Sequence, residues 1–78
     1  MSLVQTFVDG ALAARANAHN CRQIARRWAD RDPHFSATYA AAARDDYDRA
    51  RWYLRKAMQT RDSYQISKAW RHVNDASF

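Results

Sequence analysis

Apolar and small residues recur along the first part of the chain in steps of three and four: Val4, Phe7, Ala11, Ala14, Ala18, Cys21, Ala25 and Trp28. That spacing predicts a helix with a heptad seam, capped by Ser2 and running over about residues 3–31. Gly10 interrupts an otherwise good helix pattern. Stacked with Ala14 and Ala18, it suits close approach of a second helix. Asp32-Pro33 then ends this helix and starts the next. The residue before a proline avoids the α region, Asp is a good N-cap, and Pro a good first helical residue. The second helix is expected over about 33–60, with Ala40, Ala43, Tyr47, Ala50, Leu54 and Ala57 as its seam.

Folding these two helices antiparallel about the tight turn sets large residues against small ones. Trp28 faces Ser36, Ala25 faces Tyr39, Ala18 faces Tyr47, Ala11 faces Leu54, and Phe7 faces Ala57. Close-packed interiors require that complementarity of volume. Asp62 with Gln65 resembles a capping box and opens a third, shorter helix at about 63–74. Its buried face is Ile66, Ala69, Trp70 and Val73, with Tyr64, Lys68 and Arg71 pointing away. The last four residues, DASF, are expected to fray unless Phe78 docks. The expected fold is all-α: a long antiparallel helical hairpin plus a short third helix, one small three-helix bundle over residues 1–78.

The stretch YAAAARDDYDRARWYLRKAM resembles the second half of a tetratricopeptide repeat through Tyr47, Ala50, Leu54 and Ala57. That architecture stacks at least three repeats of about 34 residues. This chain has room for two and shows no second copy, so the spacing reads as a buried helix seam and no family is claimed.

Composition supports helices. The chain has one Gly and one Pro, whereas sheets and turns use more of both. The formal net charge is +5, and the pI is near 10.0. The bases are Arg except for Lys56 and Lys68, and all eight acids are Asp. A GC-rich coding sequence accounts for that bias; the planar guanidinium fork also suits carboxylates and phosphates. The positive excess is concentrated before residue 32. A lone Cys21 excludes an intrachain disulfide framework and fits a reducing, cytoplasmic setting. The start lacks a basic leader region, and no apolar run approaches a membrane span.

Catalytic and metal chemistry find no foothold. His19, Cys21, His34 and His72 have no metal-ligand spacing, and structural zinc sites want four ligands. Cys21 lies on the seam, where a small thiol is a packing residue. Asp45 and Asp46 are adjacent and so diverge on a helix, and one glycine cannot build a phosphate loop. No catalytic residue, metal or cofactor is expected.

Two features suggest binding instead. Arg15, His19, Arg22 and Arg26 follow one stripe of the first helix, and Arg27 and Arg31 extend the charge towards its end. The stripe could track an acidic surface. Its stems could equally lie over the core, with the heads on Asp45, Asp46 or Asp48 of the second helix. Trp52 comes out nearly opposite the seam, near Arg49 and Lys56, as an interface anchor would. The charges around it also read as helix-surface pairs, Asp45 with Arg49 and Asp48 with Arg51. The expected function is therefore a non-catalytic module that docks on an acidic protein to regulate or inhibit it. Small phage and mobile-element proteins that block host machinery have this general build. Two other readings are a non-specific nucleic-acid binder using the same ridge, and a structural homodimer burying Val8, Leu12 and Trp52.

Overall fold

The structure, a computed structural model, describes residues 2–60 and 63–74. It contains α1 (Leu3–Trp28), α2 (Pro33–Thr60) and α3 (Ser63–Asn74), and it is the expected hairpin with a short third helix. The Asp62–Gln65 capping box and the Phe78 tail lie outside the described residues. The molecule is a rod, 45 × 17 × 17 Å.

The helix ends follow their sequence signals. Ser2 Oγ accepts from the Gln5 amide at 3.0 Å. Asp32 Oδ1 accepts from the Phe35 amide at 3.0 Å, so Asp32 caps α2 with Pro33 as its first residue. Asp32→Ala is expected to cost about 1 kcal/mol, read as a lower urea midpoint with unchanged helical circular dichroism. An unchanged midpoint would show that Pro33 alone starts the helix. α1 stops three residues earlier than predicted, at Trp28. The Arg31 and Asp32 amides both return to the Trp28 carbonyl, at 3.1 and 2.8 Å, which closes the turn.

The seams are buried largely as the spacing requires. Ala11, Ala18, Ala50, Leu54 and Ala57 are fully buried, and Tyr47 nearly so. Alanines at the contact let the two backbones come close, and Tyr47 and Leu54 fill the remaining space. Phe7, expected against Ala57, packs instead on Tyr53 one helical turn earlier, with ring centroids 6.4 Å apart. A Cβ on Gly10 would lie 3.0 Å from the Tyr53 ring, so a glycine there admits that ring.

The hairpin tip differs from the expected pairing. Trp28 leaves the seam and is 37% exposed. It stacks edge-on against Phe35, centroids 5.3 Å apart. Ser36 donates instead to the Ala25 carbonyl at 2.6 Å. The helices part where the chain turns, and the tip has no third helix to cover a large ring. Val8, placed beside the seam from spacing alone, is buried because α3 packs on that side. Ile66, Ala69 and Val73 of α3 are buried, and Tyr64 is 74% exposed, as its helical phase predicts.

Candidate functional site

A 12-residue helix is about 18 Å long, and a 26-residue one about 39 Å. α3 can therefore cover only part of the hairpin. A hollow of about 300 Å³ between Gln5, Val8 and Leu12 of α1 and Lys68, Ala69 and His72 of α3 marks its seat at the base. Val8 and Leu12 thus pack against α3 and do not share a surface with Trp52.

Helical phase and the observed contacts divide the hairpin into two unlike flanks. One carries α3 at its base. Above α3 the same flank presents Arg15, His19, Arg22 and Arg26 from α1, joined by Arg44 and Arg51 from α2. A shallow hollow of about 220 Å³, lined by Arg22, Ala40, Ala43 and Arg44, lies between the helices there. The alanines give it an apolar floor, and the arginines give it basic walls. The sequence pattern found the α1 half of this surface. It missed Arg44, four residues after Ala40 and three before Tyr47, which is the spacing that puts it on this flank.

Arg15 sits partly buried. Its Nε is buried with no hydrogen-bond partner among the described residues. A guanidinium Nε and its neighbouring Nη form the edge that grips a carboxylate in two parallel bonds. A buried donor left unmade costs about 1–3 kcal/mol. Arg15→Met keeps the stem and removes the donor. Its unfolding midpoint is therefore expected to stay level or rise; a loss above about 1 kcal/mol would show that the fold itself uses the guanidinium. His19 is exposed, with the Gln23 amide nitrogen 3.1 Å from its Nε2.

The opposite flank is aromatic. Phe7, Gly10 and Tyr53 lie at its base, and Trp28, Phe35 and Tyr39 at its tip, with Phe35 and Tyr39 centroids 4.9 Å apart. Trp52 leans onto this flank. It is 45% exposed, stacks edge-on against Tyr53 with centroids 5.2 Å apart, and carries Lys56 Nζ 5.4 Å from its ring centroid. α3 does not cover it. Arg49 bonds Asp46 at 3.0 Å, so its pair is not the expected one with Asp45. Asp46 is on the inner flank of α2 and buried, whereas Asp45 points outward. Asp48 lies 3.5 Å from Arg51, the pair expected from spacing. The eight residues singled out from sequence therefore do not form one surface. Arg15, His19, Arg22 and Arg26 share the basic flank, Arg49, Trp52 and Lys56 sit on or beside the aromatic one, and Arg27 turns away from both.

Among the described residues, no cluster of three or more His, Cys, Asp or Glu side chains could hold a metal ion. Nor is any helix among the described residues long and apolar enough to cross a membrane. Compared with known proteins, the chain matches no family model, no curated protein and no solved structure.

Proposed function

We propose that the protein is a non-catalytic docking module whose basic flank seats an acidic protein partner and thereby regulates or inhibits it. The observation that carries this reading is the groove above α3, floored by Ala40 and Ala43 and walled by Arg22 and Arg44. Arg15, partly buried on the same flank, adds to its positive charge. An apolar floor between basic walls suits a helix or loop that offers a small apolar side chain flanked by carboxylates. A phosphate chain needs the charges but gains nothing from the floor, so protein is favoured over nucleic acid.

The test is affinity capture from nuclease-treated extract of the source cell, with wild type and an Arg22→Glu/Arg26→Glu variant as parallel baits. The reading expects one acidic protein at near-equal stoichiometry on the wild type and none on the variant. No protein captured by either bait, with nucleic-acid anisotropy titrations whose affinity collapses as salt rises, would replace it with the phosphate-binding reading.

A further inference from the structure

We propose that the aromatic flank is a homodimer interface, in which two hairpins pack antiparallel about a two-fold axis. This inference rests on different residues from the basic-flank reading and stands independently of it.

A two-fold interface brings each surface against its own copy. The basic flank, with Arg15, Arg22, Arg26 and Arg44, would oppose itself with like charges. The aromatic flank carries less charge: Asp46 pairs with Arg49 at 3.0 Å, and Lys56 lies over the Trp52 ring. Of the two flanks, only the aromatic one is compatible with a second copy of itself.

Exposed aromatic surface lies at both ends of the flank: Trp28 and Phe35 at the tip, Trp52 at the base. Between them are small or polar positions, including Asn17, Ala42 and the Asp46–Arg49 pair. An antiparallel two-fold seats the tip rings of one copy on Phe7, Tyr53 and Trp52 of the other, twice. It also brings the two Asp46–Arg49 pairs near the axis, where each Arg49 can reach an acid of the opposite copy.

The molecule is 45 Å long and 17 Å across, so one long face of it is on the scale of the roughly 800 Å² per partner in a standard interface. α3 sits on the other flank and, among the described residues, leaves this surface open. Pairing would produce a four-helix layer with the two α3 helices and both basic flanks outside, so one dimer could engage two acidic sites.

Sedimentation equilibrium of the full chain, at up to about 0.1 mM, tests this. The expected wild-type mass is twice 9.1 kDa. Phe35→Asp at the tip and Trp52→Asp at the base alter rings that are already partly exposed, so each is expected to give a helical monomer. Arg26→Glu on the basic flank is expected to leave the dimer intact. A wild type that stays at the monomer mass overturns the proposal. So does a dimer that survives both aspartate variants, or one that only Arg26→Glu dissociates. If one aspartate variant loses its helical signal, the other decides.

Discussion

Leu54→Ala is expected to lower stability by about 3 kcal/mol, within the 2–5 kcal/mol typical of such truncations. In a chain of this size that corresponds to a fall in Tm of roughly 12–24 °C. Leu54 is fully buried in the cluster where all three helices meet, among Val4, Val8, Ala11, Ala50, Ala57, Ile66, Ala69 and Val73. Its neighbours explain why the loss should be large. Ala11, Ala50 and Ala57 have no side chain to move into a vacancy, and the backbones that carry them are already close. The cavity therefore persists, and its cost adds to the lost burial. A small helical domain has only about 4–12 kcal/mol in total, so the variant should be partly unfolded at modest temperature. Met58, 51% exposed on the same helix, is the control, with Met58→Ala expected to change stability by no more than about 0.5 kcal/mol. Equal Tm values for the two variants would contradict the packing described at the base.

The second large effect concerns binding. Arg22→Glu/Arg26→Glu is expected to weaken the complex with the captured partner at least about 100-fold. Removing one member of a desolvated charge pair already costs about 2–5 kcal/mol, tenfold in affinity is about 1.4 kcal/mol, and reversal adds repulsion. Trp52→Ala is expected to leave that affinity within a few-fold, because Trp52 lies on the other flank. The two variants together separate a basic-flank site from one centred on the exposed tryptophan. Isothermal titration at fixed salt reads both. The opposite ranking would move the docking surface to the aromatic flank.

The helices were legible because each has its own local signal. Asp32-Pro33 marks the turn, Ser2 marks the first cap, and the three-and-four spacing of Ala11, Ala18, Tyr47, Ala50 and Leu54 marks the seam. What failed depends on neighbours that the one-helix pattern does not contain. Val8 is buried because α3 lies over it, and nothing in the spacing of α1 says which flank α3 chooses. Trp28 is exposed because the seam ends where the helices part. Asp46, not Asp45, takes Arg49 because one step of helical phase carries it from the outer surface to the inner flank. The basic stripe on α1 was visible as a periodicity. Its partner Arg44 was not, because it joins only through the register between helices. The separation of Trp52 from the stripe likewise becomes plain only once both are placed on one body.

The most direct test of a single basic docking flank is an amide chemical-shift map of the labelled protein with and without the captured partner. Perturbations are expected along Arg15 to Arg26 and Ala40 to Arg44, with the Phe7, Trp52 and Tyr53 amides unmoved. Perturbations centred on Trp52 and Tyr53, with the arginine stripe unmoved, would contradict the account.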